Sequence, residues 1–136
     1  MVWVVDTCVV IDVLVHDPEF GLRSATLLEE RLSEGLGICL VTQVELAPAF
    51  DGDFEAQKRF LDLAGISDGL GWPLMAAKAA HAGWHSHVIA RRSGECSKRP
   101  VADVLIGACA ATQRGLITRN GSDFRRRFPN LQILEP

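Results

Sequence analysis

The sequence lacks the features that define several large classes of protein. No apolar run approaches the ~18–20 residues needed to span a bilayer. The N-terminus has no basic region and its first apolar run ends at Asp6, so we expect no signal peptide and a cytoplasmic protein without a membrane partner. A Gly-x-x-x-x-Gly-Lys-Ser/Thr loop is absent, which excludes a P-loop nucleotidase. No Gly-x-Gly-x-x-Gly follows the first apolar run, which counts against dinucleotide binding.

Cysteine is also too sparse to organise the fold. Cys8, Cys39, Cys96 and Cys109 form no Cys-x-x-Cys pair and match no zinc-ligand spacing. Three of them lie in apolar runs, where small core residues belong. With 136 residues and 48% hydrophobic content, the chain can bury a core without disulfides. We therefore expect neither a disulfide framework nor structural zinc.

The pattern of apolar residues predicts alternating strands and helices in one domain over residues 1–136. Strands are predicted at 2–5, 37–41, 116–118 and 131–134. Helices are predicted at 8–14, 23–34, 42–50 with a kink at Pro48, 53–63, 73–92 and 103–113. This alternation favours an α/β three-layer sandwich with a central, mainly parallel sheet, in a Rossmann-like arrangement.

Four carboxylates stand at the edges of apolar runs: Asp6, Glu45, Asp103 and Asp123. Ligands of parallel sheets bind beyond the carboxyl ends of the strands, and all four acids can reach one such crevice. Two carboxylates 4 Å apart repel by roughly 4 kcal/mol at an effective dielectric of 20. A hard divalent cation would remove that conflict, because oxygen ligands suit magnesium and manganese. The pattern therefore favours metal-assisted phosphodiester chemistry.

Each acid also has an ordinary structural explanation. Asp6 and Asp103 are good helix N-caps. Thr42-Gln43-Val44-Glu45 fits a capping box, in which the glutamate reaches back to the Thr42 amide. Asp123 fits a plain turn. The sequence leaves these explanations open beside the metal site.

Charge is divided unevenly along the chain. Residues 1–68 hold 13 Asp and Glu against 4 Lys and Arg, whereas residues 69–136 hold 4 against 10. The basic residues cluster as Arg91-Arg92, Lys98-Arg99 and Arg125-Arg126-Arg127. Such clusters beside an acidic metal site would suit a phosphate-rich ligand, although charge alone favours the simpler explanation that they are solvated helix ends.

The segments around the four acids resemble those of PIN domains. The similar blocks are Val5–Asp12, Thr42–Leu46, Asp103–Ala110 and Thr118–Phe124. Their order and spacing, and the length of the chain, are similar to the VapC-type toxins of bacterial and archaeal toxin–antitoxin pairs. The resemblance covers essentially the whole chain, and its last block is the most specific.

This resemblance implies a PIN-like fold and a magnesium- or manganese-dependent ribonuclease, dimeric and held inactive by a cognate antitoxin. By position, the acidic catalytic site would consist of Asp6, Glu45, Asp103 and Asp123, supported by Thr7, Thr118 and Asn120. We expect Asp6, Asp103 and Asp123 to be the main metal ligands. Glu45 would hold a second ion or position the attacking water.

Binding of RNA beside an acidic crevice requires positive charge close by. The cations best placed to hold phosphates are Lys98, Arg99, Arg119, Arg125, Arg126 and Arg127. A homodimer is expected through the apolar faces of helices 23–34 and 53–63. An antitoxin would present Arg or Lys to the crevice, where their charge replaces that of the metal.

Two other interpretations remain open at the level of sequence. One is a non-catalytic PIN-like module that binds a protein or RNA. The other is a flavodoxin-like regulatory domain that binds metal and accepts phosphate on Asp6. A phosphotransferase with an aspartyl nucleophile after its first strand would favour a second Asp two positions on, and Cys8 occupies that position.

Overall fold

The computed structural model describes residues 1–92 and 101–136. Within these residues there are five strands: β1 (Trp3–Val5), β2 (Leu36–Cys39), β3 (Ile66–Leu70), β4 (Gly115–Ile117) and β5 (Ile133–Leu134). The α-helices are α1 (Thr7–Leu14), α2 (Gly21–Arg31), α3 (Leu40–Glu45), α4 (Phe54–Leu63), α5 (Leu74–Arg92), α6 (Val101–Ala111) and α7 (Gly121–Arg127). Short 3-10 turns follow α2 at Leu32–Glu34 and α3 at Ala47–Phe50. None of the helices in the described ranges is long and apolar enough to cross a membrane.

The strands form one sheet in the order β3-β2-β1-β4-β5. Every pair of neighbours is parallel. The chain moves outward from β1 to β2 and β3, then returns to place β4 on the other side of β1. The strand order therefore reverses between β1 and β4, and a crevice opens beyond their carboxyl ends at such a point.

Each face of the sheet carries its own apolar core. Val5, Val9 and Leu61 belong to the core that β1 shares with α1 and α4. Val4 and Phe124 belong to the core on the opposite face, with α6 and α7. Adjacent residues of β1 thus point to opposite sides, as the pleat requires. The result is the predicted α/β three-layer sandwich.

Strand β3 was absent from the predicted elements. Its sequence, Ile-Ser-Asp-Gly-Leu, contains too few apolar residues to indicate a strand. It lies at the edge of the sheet and pairs only with β2. Gly69 has a φ of 66°, and the register with β2 shifts nearby, so this strand departs from regular geometry. An edge position tolerates such irregularity.

The helix predicted over 42–50 is two elements. Helix α3 ends at Glu45, and a 3-10 turn with Pro48 near its start follows. Pro48 has no N–H to continue an α-helical ladder, which explains the interruption expected there. At the other end, α3 begins at Leu40, and β2 is correspondingly shorter than predicted.

Phe128 occupies space that two glycines leave open. A Cβ on Gly107 would lie 2.4 Å from Phe128 Cε2, and one on Gly83 would lie 2.7 Å from Phe128 Cζ. Both glycines are helical, on α6 and α5, so their missing side chains let the aromatic ring pack between the helices. Phe128 is buried in the core on that face.

We expect Gly107→Ala to lower the free energy of unfolding by about 1–3 kcal/mol, because the new methyl overpacks the site of Phe128. Urea denaturation measures this change. Gly71→Ala is the matched control, since a Cβ there meets nothing within 4 Å. Equal stability of the two variants would contradict the packing assigned to Phe128.

Candidate active site

The first candidate acid lies where the strand order reverses. Asp6 directly follows β1, and its backbone N–H donates to the Ile117 carbonyl of β4 at 2.9 Å. Asp6 is the N-cap of α1, as its ordinary explanation predicted, and its Oδ1 accepts from the Thr7 N–H at 2.8 Å. Its side chain is nonetheless bound to a second element: the Thr118 hydroxyl donates to Asp6 Oδ2 at 2.6 Å. Capping alone therefore does not account for it.

Burial dominates the electrostatics of Asp6. Removal from water raises the pKa of this carboxyl, while hydrogen bonds from Thr118, Cys8 and Thr7 and the charge of Arg119 oppose the rise. A buried carboxylate with three donors is ordered, but its charge remains costly. Additional positive charge close by would stabilise the ionised form.

Glu45 is held by a hydroxyl of α1. Thr7 Oγ1 donates to Glu45 Oε1 at 2.8 Å and lies 3.0 Å from Thr42 Oγ1. The capping-box explanation is wrong, because α3 begins at Leu40 and Thr42 lies inside the helix, fully buried. Glu45 is exposed, so its carboxylate faces solvent at the edge of the site. Thr7 thus joins the second acid to the residue that follows the first.

Asp103 lies in the first turn of α6, two residues after the helix begins. Its N-cap explanation is therefore wrong. Burial, together with the charges of Asp6, Glu45 and Asp123, raises its pKa to about 6, and the charge of Arg127 opposes the rise. Asp103 thus experiences the charge of each of the other three acids. The structure brings the other three carboxylates within electrostatic range of Asp103.

Asp123 and its neighbours follow β4. Asp123 is an exposed residue in the first turn of α7, a helix that was absent from the predicted elements, so its explanation as a plain turn residue is wrong. Thr118 is buried and links the segment to Asp6, while the backbone N–H of Asn120 donates to Thr118 Oγ1 at 3.0 Å. The Asn120 side chain makes no capping hydrogen bond to α7 and is exposed. The supporting residues Thr7 and Thr118 therefore contact the acids, and Asn120 does so through Thr118.

The oxygen atoms of the four carboxylates are suitable ligands for a hard divalent cation. They do not, however, converge on a single position. All four candidates offer oxygen ligands, and burial together with the charges of the other three acids raises the pKa of Asp103. In the described ranges, no three His, Cys, Asp or Glu side chains lie close enough together to hold an ion. Asp6, Asp103 and Asp123 would hold it directly or through water.

The basic residues suggested for RNA binding occupy different environments. Lys98 and Arg99 lie outside the described residues. Arg125 is exposed and its Nη2 lies 3.2 Å from Glu135 Oε2. Arg127 is buried, so it is not a surface ligand for phosphate, and its charge acts on Asp103 instead. Arg119 pairs with a buried acid on α1. Arg126 is exposed.

Sequence reasoning did not single out Asp12, and it assigned Thr42 and Arg127 to roles that their surroundings do not match. Asp12 is a buried acid within the block that resembles PIN domains, and its spacing of six from Asp6 was the available signal. Thr42 was assigned to a cap, but its hydroxyl lies beside Thr7. Arg127 was read as one of three surface arginines. Its helical spacing of three from the buried Phe124 places it on the inner face of α7.

No protein-family model matches the chain, and no curated protein does. Among solved structures, the chain is similar to one in the crystal structure of VapBC2 from Rickettsia felis bound to a DNA fragment from their promoter. The TM-score is 0.65 and the identity is 19%, over 100% of this chain and 99% of that chain. At this identity the likeness concerns the fold. It confirms the predicted PIN-like α/β architecture.

Proposed function

We propose that this protein is a magnesium- or manganese-dependent ribonuclease, the VapC-type toxin of a type II toxin–antitoxin pair. The observation that carries the proposal is the convergence on Asp103. Its pKa is raised to about 6 by burial and by the charges of Asp6, Glu45 and Asp123, which belong to three other segments. Strongly perturbed acids at the carboxyl edge of a parallel sheet are typical of functional sites.

The environment of each residue indicates its role in the proposed reaction. Asp6, Asp103 and Asp123 would hold the ion, directly or through water. When bound, the ion would stabilise charge on the phosphate oxygens and lower the pKa of a coordinated water. Glu45 is exposed and fixed by Thr7, which suits it to orient the attacking water or to hold a second ion. Thr118 orients Asp6 and so sets the direction of its free lone pairs.

The structural likeness supports the proposal of a protein partner for the acidic crevice. The similar chain belongs to a VapBC2 complex that is bound to promoter DNA. We propose that this protein likewise has a cognate antitoxin, whose Arg or Lys faces the four carboxylates. A homodimer through the segments 23–34 and 53–63 is also proposed, because the 3-10 turn after α2 exposes Leu32 and α4 exposes Phe54 and Leu63.

The decisive experiment is cleavage of mixed RNA by the purified protein. We expect cleavage with Mg²⁺ or Mn²⁺, none with a chelator, and inhibition by the protein encoded beside it, which should also co-purify. RNA that stays intact with both metals would contradict the proposal. Cleavage that persists in chelator would contradict its metal dependence.

A non-catalytic binding module is the second candidate. It is favoured by the arrangement of the acids, since no three of them in the described part of the chain are close enough to hold an ion. Such a module would bind RNA or the antitoxin with the same affinity in chelator and in Mn²⁺, and would leave the RNA intact. The same assay therefore separates the two candidates.

A further inference from the structure

The guanidinium of Arg119 contacts one residue of α1 and one residue of the connection after it. Its Nε lies 3.1 Å from Asp12 Oδ2, and its Cζ lies 4.8 Å from the centre of the Phe20 ring. Phe20 is itself fixed, because its backbone N–H donates to Asp17 Oδ1 at 2.8 Å. We call Arg119, Asp12 and Phe20 the Arg119 anchor.

The pairing with Asp12 is demanded by burial. The Asp12 side chain is only 3% exposed, whereas that of Arg119 is 36% exposed. A carboxylate removed from water is costly unless a cation offsets its charge. The planar guanidinium meets this need while stacking on an aromatic face, which an ammonium group would do less well.

The anchor is adjacent to the proposed active site. Arg119 lies between Thr118, whose hydroxyl donates to Asp6, and Asn120, whose N–H donates to that same hydroxyl. Fixing Arg119 against α1 therefore fixes the segment between β4 and α7. The position of the Thr118 hydroxyl, and with it the orientation of Asp6, depends on that segment.

We propose that Arg119 is a positioning residue of this site and not a ligand for RNA phosphate. Through Asp12 and Phe20 it holds residues 118–121 in place, so that Thr118 orients Asp6. A phosphate that recruited Arg119 would have to leave Asp12 buried without its cation, which opposes that role. The catalytic consequence rests on the proposed function, whereas the anchor itself does not.

The test is a double-mutant cycle of Asp12→Asn and Arg119→Gln. Arg23→Gln is the matched control, because Arg23 stacks on the same Phe20 ring at 5.5 Å. Two readouts are needed: kcat and KM for Mn²⁺-dependent RNA cleavage, and amide hydrogen exchange of residues 118–121. Phe20→Leu provides a further variant that loosens the anchor without leaving a buried charge unpaired, in case Asp12→Asn is too unstable.

We expect each single variant to lower kcat by about 10–100-fold, as loss of an outer partner of a metal ligand typically does. KM should change little, residues 118–121 should exchange faster, and the double variant should be no worse than the worse single variant. Arg119→Lys should restore part of kcat, and Arg23→Gln should match the wild type in both readouts.

A different pattern would overturn the inference. If Arg119→Gln left kcat unchanged, raised KM and reduced the salt slope of RNA binding by about 0.7, Arg119 would be a phosphate ligand. Failure of the proposed function is distinguishable, because it would remove cleavage from the wild type as well. Hydrogen exchange then still decides: unchanged exchange at 118–121 in Arg119→Gln and in Phe20→Leu would refute the anchor.

Discussion

Replacing Asp6 or Asp103 by Asn should lower metal-dependent RNA cleavage by at least about 100-fold, the upper end of what losing even an outer partner of a metal ligand costs. Asn keeps the size and planarity of the carboxylate and removes the charge that would hold the ion. Neither variant should unfold, because both acids are held with raised pKa values and a neutral group is tolerated there. Single-turnover cleavage of RNA at several Mn²⁺ concentrations measures the loss.

Asp62→Asn provides the control for this experiment. Asp62 is an exposed carboxylate near the end of α4, before β3, and therefore lies toward the amino edge of the sheet, opposite the site. Its replacement should leave cleavage within a factor of about 2, because exposed ion pairs such as Lys58–Asp62 contribute little. Near wild-type cleavage by Asp6→Asn or Asp103→Asn, with unchanged metal dependence, would remove that acid from the site.

Much of the site could be predicted because parallel topology places strand ends together. Asp6 and Thr118 are 112 residues apart in sequence, yet each ends a strand beside the reversal in strand order. Recognising short apolar β-branched runs was enough to bring them to one edge. The alternation of strands and helices likewise predicted the three layers correctly.

The features that could not be predicted involve contacts with partners that are distant in sequence. Thr42 and Glu45 have capping-box spacing, but α3 begins two residues before Thr42, so the glutamate instead accepts from Thr7 on another helix. Local spacing carries no information about a partner 38 residues away. Strand β3 was missed for a related reason: it pairs with β2, and its own sequence, in which only Ile66 and Leu70 are strongly apolar, does not indicate that pairing.

The sequence alone likewise did not show which of three consecutive arginines is buried. Arg125, Arg126 and Arg127 are consecutive, but only the first two lie on the outer side of α7. Arg127 is buried and is the cation that lowers the pKa of Asp103 against three neighbouring carboxylates. A run of basic residues thus contributes both surface charge and internal charge, and helical periodicity decides which residue does which.

Asp103→Asn should make the protein more stable than the wild type without a divalent ion and less stable than the wild type with one. In chelator at pH 7.5, we expect the variant to be more stable than the wild type. The pKa of Asp103 rises from 3.8 to about 6 on folding. A shift of that size corresponds to roughly 3 kcal/mol in full burial. Because the carboxyl is partly exposed to water, screening reduces the expected gain to about 1 kcal/mol.

The direction of the Asp103 pKa shift determines the pH range in which this residue affects stability. Between pH 3.8 and about 6 the folded state binds the Asp103 proton more tightly than the unfolded state does. The contribution of Asp103 to the stability of the metal-free wild type therefore falls as pH rises through this window. Asn has no proton to lose, so this part of the pH dependence should be missing from the variant. Thermal or urea unfolding at pH 4 and pH 7.5, in chelator, measures the difference.

Binding of Mn²⁺ should then invert the order of stability. An ion at 100 times its Kd stabilises a folded protein by about 2.7 kcal/mol, provided that the unfolded chain does not bind it. The wild type should gain this stabilisation, whereas Asp103→Asn should gain much less because it has lost a ligand. Asp62→Asn should behave as the wild type in both conditions. If Asp103→Asn were less stable in chelator and gained as much from Mn²⁺ as the wild type, Asp103 would be neither repelled by its neighbours nor a ligand of the ion.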